Sequence, residues 1–432
     1  MSLRLADLKG LNVALLGFGR EGQASLQALK RRLPGQRISV LPNQTLAPAQ
    51  ALANDHLVEW IDGAASFEKL NQFDVIIKSP GISPYLAPLN ELSRPRLTSG
   101  SALWFAEPES TTTVCITGTK GKSTTAALTA HLLASRGSSV ALAGNIGRPL
   151  LDLLDQPAAD FTVIELSSYQ TADFAGAPDV ACCLNLYPEH LPWHQTEARY
   201  YTDKLKIFEH AKRRLINAEQ PRLRDATRHF ANIEGLLDIP DERFAHSPLL
   251  GAHNRLNVRA ALSLVAAAGV DWPLTLDALQ QFQPLPHRLT SLGMRAGVRV
   301  VDDSIATTPH ATLAALACFE RSRVVVLVGG FDRGLDWHDF AIDVALNPPK
   351  AVVISGANGA AIALALHEAR VPCLIEHAGS FDAAVSLAVK TCADGDVLLL
   401  SPGAPSFDAF TDFQQRGARF AELTGFKMGA LR

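Results

Sequence analysis

The residues best suited to chemistry lie in a glycine-rich string that connects an apolar strand to a helix. The string reads VCITGTKGKSTT from Val114 to Thr125. Such a turn points several backbone N–H groups at one place, and the dipole of the following helix adds positive potential there. Lys122 can reach terminal phosphate oxygens, and Ser123 can ligate Mg²⁺. The string therefore predicts a nucleotide-binding loop. The loop comprises Gly118, Thr119, Lys120, Gly121, Lys122, Ser123 and Thr124.

The string departs from the general P-loop pattern at one position. That pattern has a glycine five residues before the glycine of the GK pair, where this chain has Ile116. The alternative is an ordinary strand-to-helix turn that binds nothing. The tighter string TGTKGKST opens a helix directly after an apolar strand, which favours the phosphate-binding interpretation.

A second glycine turn, GFGREG at Gly17–Gly22, follows the first apolar strand. It fits the GxGxxG pattern of dinucleotide-binding proteins, which is a weak signal alone. A nicotinamide site would need an acidic residue after the second strand, and Asn43 stands there. A uridine nucleotide also carries a pyrophosphate, which this turn suits equally. The GxGxxG pattern keeps an NAD-dependent oxidoreductase as an alternative, although the absent acidic residue argues against it.

Two polar residues follow apolar strands in the middle part of the chain. Glu165 ends one such strand, and His190 comes shortly after another. Open α/β sheets bind ligands at the carboxyl ends of their strands, and oxygen ligands suit Mg²⁺. From residue type alone, His190 is more often a structural histidine. Lys204 lies in YYTDKLKIFEHAKRR, which alone predicts a solvated amphipathic helix with ordinary lysines.

Short β-branched runs alternate with Ala- and Leu-rich stretches of helical spacing along the 432 residues. This alternation predicts an α/β protein with mainly parallel sheets. The rigid segment PLPHR at Pro284–Arg288 marks a boundary. We predict a Rossmann-like domain at 1–93, a central P-loop-type ATPase domain at 94–284 and a Rossmann-like α/β domain at 285–432. The predicted strands are Val13–Leu16, Val75–Ile77, Val114–Thr117, Val140–Ala143, Thr162–Leu166, Val180–Leu184, Val298–Val301, Val324–Val328, Ala351–Ile354 and Val397–Leu400.

Composition argues against several classes of partner. The net charge of -3 gives no general attraction to nucleic acid or to an anionic membrane. None of the six cysteines forms a CxxC pair, so a zinc site is not expected. No apolar run approaches the ~20 residues that span a bilayer, and the N-terminus lacks a signal-peptide pattern. We expect a cytoplasmic protein that binds neither nucleic acid nor membrane.

From the glycine-rich string onward, the sequence resembles the Mur ligases over essentially its whole length. The shared motifs run in the family's order, and within the family they look like the glutamate-adding branch. They are TGTKGKST, AGNIGRPLL from Ala143, ELSSYQ from Glu165, NLYPEHLPWH from Asn185, YYTDKLKIF around Lys204, GAHNRLNVRAA from Gly251, PLPHR, DDSIATTP from Asp302, LVGGFDRG from Leu327 and SPGAPSFDAFTDFQQRG from Ser401. The resemblance implies an ATP- and Mg²⁺-dependent ligase of peptidoglycan precursor synthesis. Such an enzyme joins UDP-N-acetylmuramoyl-L-alanine to glutamate through an acyl phosphate.

The resemblance also implies the roles of the central residues. It makes Lys122, Glu165, His190 and Lys204 catalytic, and it assigns the metal to Ser123, Glu165, His190 and Lys204, the last as a carbamate formed with CO₂. Asn254 and Asn257 correspond to residues that contact ATP. Arg288 and Asp303 correspond to third-domain residues that close onto ATP. The alternative for Arg288 is that it only caps the PLPHR turn.

The substrates are assigned in the same way. The resemblance implies a UDP site at 1–93, an ATP site at 94–284 and a glutamate site at 285–432. The UDP contacts are Gly17, Arg20, Glu21, Ser79 and Gly81, with Asn145 and His190 holding the rest of that substrate. By the same resemblance, Ser406 and Phe413 contact the side-chain carboxylate of glutamate, and Thr307 contacts its α-carboxylate.

One departure concerns the hand of the glutamate. D-glutamate ligases usually read DSKATN and GGDGK, whereas this chain reads DDSIATTP and GGFDRG. Ile305 thus replaces a lysine, and Arg333 stands near the place of another. These strings resemble the less common branch that adds L-glutamate, whose product a separate epimerase inverts. A D-glutamate ligase that has drifted, and a nucleotide-binding regulator without activity, remain alternatives. We expect a monomer.

Overall fold

The computed structural model describes residues 3–42, 55–61, 67–93, 95–108, 110–244 and 247–426. These residues form three β-sheets with helices packed against them. Asn43, which bears on the nicotinamide alternative, lies outside the described residues. The predicted α/β class with mainly parallel sheets is confirmed.

The first sheet is parallel throughout and has the order β3-β2-β1-β4-β5. The strand order reverses between β1 and β4, so two glycine-containing loops leave the same edge of the sheet there. β1, β2 and β4 are buried along their whole length, as is usual for parallel strands covered on both faces, and only Ser39 and Lys78 in them are not apolar. The strands are β1 Val13–Leu16, β2 Ile38–Leu41, β3 Val58–Trp60, β4 Val75–Lys78 and β5 Arg96–Thr98, and the helices are α1 Arg20–Arg32, α2 Phe67–Leu70 and α3 Gly100–Ala106.

The second sheet is also parallel and has the order β11-β10-β9-β6-β8-β7. The central strands β6, β8 and β9 end beside one another at the edge where the glycine-rich string begins. The strands are β6 Thr112–Thr117, β7 Val140–Gly144, β8 Phe161–Glu165, β9 Val180–Cys183, β10 Arg213–Ile216 and β11 Ile233–Gly235. The helices are α4 Lys122–Ala134, α5 Ser168–Thr171, α6 Leu191–His194, α7 Glu197–Leu205, α8 Pro221–Thr227, α9 Ala252–Ala267 and α10 Leu276–Leu279.

The third sheet has the order β12-β13-β17-β14-β15-β16. Only the β12–β13 pair is antiparallel among the strands of this sheet that the structure describes. The strands are β12 Thr290–Arg295, β13 Val298–Asp302, β14 Val324–Val328, β15 Ala351–Ile354, β16 Leu374–His377 and β17 Val397–Leu400. The helices are α11 Pro309–Leu316, α12 His338–Leu346, α13 Gly359–Glu368, α14 Phe381–Thr391 and α15 Phe413–Leu423.

The chain divides into two compact units. The first comprises Met1–Ala245 and Leu256–Gln280, and the second comprises His246–Arg255 and Gln281–Arg432. The first and second sheets therefore belong to one unit, and the third sheet belongs to the other. The domain limits near residues 93 and 285 stay predictions. Within the described ranges, no helix combines the length and apolarity needed to cross a membrane.

Candidate active site

The glycine-rich string forms the loop between β6 and α4. Gly121 precedes the helix with φ +86°, a left-handed conformation that favours glycine. A Cβ atom at this position would come 2.3 Å from Asn257 Oδ1, so a larger residue would both strain the backbone and displace the Asn257 side chain. The helix then begins at Lys122, whose Nζ donates to the Thr119 carbonyl at 2.9 Å. This strand–loop–helix geometry is the one that binds phosphate groups at a helix N-terminus.

Asn185, which follows β9, holds the loop in shape. Its Oδ1 accepts from the Lys120 amide at 2.8 Å, and its Nδ2 donates to the Lys120 carbonyl at 3.0 Å. The Thr119 hydroxyl lies 2.9 Å from the hydroxyl of Tyr200. Sequence reasoning did not assign a role to Asn185 or Tyr200. The apolar strand that ends just before Asn185 was the available signal, because polar residues after buried strands line such sites.

Glu165 ends β8 and is 1% exposed. Its Oε1 accepts a hydrogen bond from Asn145 Nδ2 at 2.8 Å. Its Oε2 is buried and has no hydrogen-bond partner among the described residues. A buried carboxylate oxygen without a donor is costly unless a cation or another donor is supplied. Glu165 Oε2 is therefore suited to a metal ion or its bound water.

His190 lies after β9 in a left-handed conformation with φ 57°. Its Nδ1 is 2.9 Å from the hydroxyl of Tyr169, and the two rings contact each other. Burial lowers the pKa of His190, against the opposing effect of Glu189, and the cations Lys204 and Lys122 lower it further. The neutral imidazole that results can accept a hydrogen bond or bind a metal.

Lys204 is buried, in contrast to the solvated surface lysine that residue pattern alone predicts. It is 1% exposed on α7, and its Nζ donates to the Gly118 carbonyl at 2.9 Å. The amine also lies 5.0 Å from the centre of the Tyr200 ring. Burial, aided by the nearby cation Lys122, lowers the pKa of Lys204 to about 7. The helix turns this lysine toward the phosphate loop, which the resemblance implied and the amphipathic pattern did not.

These residues test whether the site suits Mg²⁺. Within the described residues, no group of three or more His, Cys, Asp and Glu side chains is arranged to hold a metal ion. The open oxygen of Glu165 fits a hard cation, and Ser123 at the start of α4 adds a hydroxyl oxygen of the same character. A neutral lysine amine supplies no anionic oxygen, so Lys204 fits such a set only after chemical modification.

The two glycine-containing loops of the first sheet lie against each other at the switch point. A Cβ atom on Gly17 would come 2.6 Å from Ser79 Oγ, and that hydroxyl is buried without a partner among the described residues. Arg20 donates to the carbonyls of Asn145 and Gly147, at 3.3 and 3.2 Å. The turn therefore adjoins the loop after β7.

The acid of this turn, Glu21, is not a free surface carboxylate. It accepts from Gln170 Nε2 at 3.2 Å, and burial raises the pKa of its carboxyl group. Gly81, by contrast, is exposed. The predicted UDP contacts thus differ in environment, although all of them lie in the first compact unit.

The second unit brings three predicted strings to the adjacent ends of β13, β14 and β17. Arg416, which is 2% exposed, connects two of them because it donates to the Ser304 carbonyl at 2.8 Å and the Ala404 carbonyl at 2.9 Å. The Phe331 amide donates to the Pro405 carbonyl at 2.9 Å and so attaches GGFDRG. Ser304 Oγ donates to the Phe413 carbonyl at 2.8 Å. Sequence reasoning did not single out Arg416.

The remaining predicted residues of this unit differ in exposure. Ser406 is 2% exposed, Thr307 and Arg288 are half-buried, and Arg333 is exposed. Asp303 accepts from the Ser401 hydroxyl at 2.8 Å, and burial raises the pKa of its carboxyl group to about 7.

The two predicted ATP asparagines lie on α9, in different compact units. Asn257 belongs to the first unit, where its Oδ1 accepts from the Thr125 hydroxyl at 3.3 Å beside Gly121. Asn254 belongs to the second unit, and its Nδ2 donates to the Leu250 carbonyl at 2.8 Å.

Comparison with known families identifies the class of this protein. Residues 116–236 match the Mur ligase middle domain, and residues 287–403 match the Mur ligase, glutamate ligase domain. Together these matches cover more than half of the chain. The chain belongs to the Mur ligase family, whose members are ATP-dependent amide-bond-forming ligases that use Mg²⁺. The resemblance inferred from the motifs is confirmed.

Two relatives that align over nearly the whole chain carry the same enzyme name. The UDP-N-acetylmuramoyl-L-alanine--L-glutamate ligase of Xanthomonas euvesicatoria pv. vesicatoria is 44% identical, with 99% of this chain and 98% of that protein aligned. The ligase of the same name from Xylella fastidiosa is 45% identical, with 98% and 97% aligned.

Solved structures share the fold. MurF of Acinetobacter baumannii has a TM-score of 0.60 at 17% identity and covers 98% of this chain and 92% of its own. MurC of Thermotoga maritima has a TM-score of 0.56 at 18% identity, with 95% and 98% covered.

Proposed function

We propose that this protein joins L-glutamate to UDP-N-acetylmuramoyl-L-alanine at the expense of ATP, in the synthesis of peptidoglycan precursors. The names of the relatives that align over nearly the whole chain support the two substrates. The observation that carries the proposal is the buried lysine beside the phosphate loop. Lys204 donates to Gly118 and shares an electrostatic environment with Lys122 and Glu165.

The reaction has two steps, and neither requires a protein nucleophile. The alanyl carboxylate attacks the γ-phosphorus of ATP, which gives an acyl phosphate and releases ADP. The neutral amine of glutamate then attacks the acyl carbon, the bond from that carbon to the phosphate oxygen breaks, and the amine proton leaves with inorganic phosphate as the amide forms. Catalysis therefore depends on positioning and on stabilisation of charge.

The residues of the first unit have distinct roles in this scheme. The loop from Gly118 to Thr124 holds the phosphates with backbone N–H groups, and Lys122 offsets charge that spreads over the γ-phosphate. Glu165, His190 and Ser123 would hold Mg²⁺, which would supply further positive charge beside the γ-phosphate oxygens of ATP. Asn145 orients Glu165 through the bond to its Oε1.

Lys204 would complete this set as a carbamate. The neutral amine attacks CO₂, a nitrogen–carbon bond forms as one carbon–oxygen π bond opens, and one proton leaves the nitrogen for solvent, so a neutral amine becomes an anion with two oxygens. Its pKa of about 7 leaves a large neutral fraction at physiological pH. A carbamate at this position would supply the anionic oxygen that the amine lacks.

The second unit would bind glutamate and close onto ATP. In this proposal Ser406 and Phe413 meet the side-chain carboxylate, Thr307 and Arg333 meet the α-carboxylate, and Arg288 and Asp303 meet the nucleotide with Asn254 and Asn257. Ile305 removes a cation from one side of the pocket while Arg333 adds one on another loop. That change of charge favours the L-enantiomer over the alternative D-enantiomer.

The remaining assignments complete the proposal. Residues 1–93 would bind the UDP part of the substrate through Gly17, Arg20, Glu21, Ser79 and Gly81. The enzyme would act in the cytoplasm as a monomer, and a separate epimerase would then invert the glutamyl centre.

The test is a reconstituted reaction with the full-length protein, ATP, Mg²⁺, UDP-N-acetylmuramoyl-L-alanine and L-glutamate. Mass spectrometry should detect a product heavier by one glutamyl residue, and ADP should appear in equal amount. Omission of any one substrate should abolish the product. Turnover of ATP without this product, or an inactive folded protein, would overturn the proposal.

A further inference from the structure

A network of hydrogen bonds connects the loop after β4 to the segment that carries His190 and Lys204. Ser83 Oγ donates to the Trp193 carbonyl at 2.7 Å, and the Trp193 indole N–H donates back to the Gly81 carbonyl at 3.0 Å. The Gln195 side chain donates from Nε2 to the Tyr85 carbonyl at 2.8 Å. The loop that contains Ser79 and Gly81 is therefore attached to the second sheet's site segment within one compact unit.

Asp203 is the centre of this network. It is 2% exposed on α7, and it accepts the Tyr85 hydroxyl at 2.6 Å. Asp203 Oδ2 lies 2.8 Å from His194 Nδ1. Asp203 Oδ1, which accepts from Tyr85, also lies 3.2 Å from Lys206 Nζ. A buried carboxylate persists only when such donors satisfy it. Tyr85, His194 and Asp203 are defined here as the Asp203 triad.

Aromatic rings enclose the histidine end of the triad. His194 is fully buried, and its ring lies 4.4 Å from Trp193, 5.1 Å from Tyr200 and 5.9 Å from Tyr169, measured between ring centres. Tyr169 also contacts His190, and Tyr200 contacts the Lys204 amine. Two of the aromatic residues around His194, Tyr169 and Tyr200, therefore also contact the candidate metal-site residues His190 and Lys204.

Asp203 immediately precedes Lys204 in the same helical turn. The orientation of α7 about its axis decides whether the Lys204 amine reaches the Gly118 carbonyl. Because Asp203 is held from both sides, the helix has little freedom to rotate or slide. A displacement of about 1 Å at a catalytic group is enough to lower activity greatly.

We propose that Asp203 is a positioning residue for Lys204, and that its bond to Tyr85 couples the loop Ser79–Tyr85 to assembly of the metal site. The inference rests on the proposed role of Lys204. Occupation of the first sheet by the uridine nucleotide would steady the loop, the loop would hold Tyr85, and Asp203 would hold α7. Neither Tyr85 nor Asp203 needs to contact a reacting atom.

The chain offers a closely matched control for this claim. Tyr201 lies on the same helix, and its hydroxyl donates to Glu197 Oε1 at 2.6 Å, the same kind of bond at the same length. That bond stays within α7 and does not reach the loop after β4. Tyr85→Phe removes only a hydroxyl, because the ring can keep its contacts with Trp193 at 5.7 Å and Arg199 at 4.6 Å.

The experiment compares the full-length wild type with Tyr85→Phe, Asp203→Asn and Tyr201→Phe. The first measurement is the ¹³C NMR signal of the Lys204 carbamate in ¹³C-bicarbonate, without nucleotide and metal, assigned by its loss in Lys204→Ala. The second is the Mg²⁺ concentration for half-maximal activity. Circular dichroism and thermal melting establish that each variant is folded.

We expect Tyr85→Phe and Asp203→Asn to lose at least half of the carbamate signal. Their half-activating Mg²⁺ concentration should rise about fivefold or more, the factor that corresponds to one lost hydrogen bond. Tyr201→Phe should match the wild type in both measurements. Wild-type values for both in folded Tyr85→Phe and Asp203→Asn would overturn the proposal. If the wild type itself lacks the carbamate signal, the carbamate fails, and the Mg²⁺ dependence of the two variants alone decides the role of Asp203.

Discussion

Lys204 should react with CO₂ near neutral pH, unlike an ordinary lysine. Burial and the nearby cation Lys122 lower the pKa of this amine from 10.5 to about 7. Only the neutral amine is a nucleophile. At pH 7, a pKa near 10.5 leaves roughly one amine in 3000 neutral, whereas a pKa near 7 leaves about half neutral. The reactive fraction is therefore larger by roughly 10³-fold.

The direction of the pH dependence follows from this shift. As the pH falls through about 7, the folded protein protonates Lys204, and the nucleophile is lost. At a fixed concentration of dissolved CO₂, the rate of carbamate formation should fall about tenfold for each pH unit below 7 and level off above it. The assay mixes CO₂-free enzyme with ¹³CO₂ at several pH values and follows the carbamate by ¹³C NMR.

Alanine variants test whether the carbamate signal and the activity depend on Lys204 and not on an exposed lysine. Lys204→Ala should abolish the signal and the activity, and short-chain carboxylic acids should restore part of the activity by occupying the vacated site. Lys212→Ala should change neither, since the Lys212 side chain is 73% exposed and an ion pair with Asp179 raises its pKa. The reasoning is refuted if Lys204→Ala keeps full activity without added acid, or if the signal appears only at strongly alkaline pH.

Three further predictions concern the glycine-rich loop before α4 and the glycine turn at Gly17–Gly22. Lys122→Ala should lower kcat for ATP turnover by about 10²-fold or more while circular dichroism stays unchanged, and near-normal ADP production by the folded variant would contradict its role. Gly121→Ala should weaken ATP binding because its Cβ would meet Asn257, whereas Gly137→Ala, with φ +83° and open space around it, should not; equal nucleotide affinities in a calorimetric titration would argue against the clash. UDP, and not NADH, should quench tryptophan fluorescence by binding at Gly17–Gly22, and the opposite result would restore the nicotinamide interpretation.

Buried, continuously apolar parallel strands were the most predictable part of the fold. Val324–Val328, Ala351–Ile354 and Val397–Leu400 have the predicted limits because such strands are continuous apolar runs between loops. β12, at Thr290–Arg295, was not predicted. It lies at a sheet edge, is nowhere fully buried, and contains Gly293 at an irregularity in its pairing, so neither alternation nor an apolar run marks it.

The site was predictable where a local string carries the chemistry. The phosphate loop forms between a strand and a helix as its sequence requires. Lys204 could not be found from periodicity, since an inward lysine and a solvated lysine look alike on an amphipathic helix. Arg416 and Asp203 were missed because Ser304 and Tyr85, which they contact, lie far away in the sequence, and a single chain does not reveal such contacts. Asn185 was missed although the apolar strand before it was a signal.

The most direct test of the central claim is the kcat/KM of the full-length protein for each enantiomer of glutamate under identical conditions. Enantiomers share every functional group, so only the placement of charge around the α-carbon can distinguish them. A buried carboxylate without its partner costs several kcal/mol, which corresponds to about 10²-fold or more in preference. We predict that L-glutamate is preferred by this factor, and that Ile305→Lys alone does not reverse the preference while Arg333 remains. A clear preference for D-glutamate would contradict the account of the pocket.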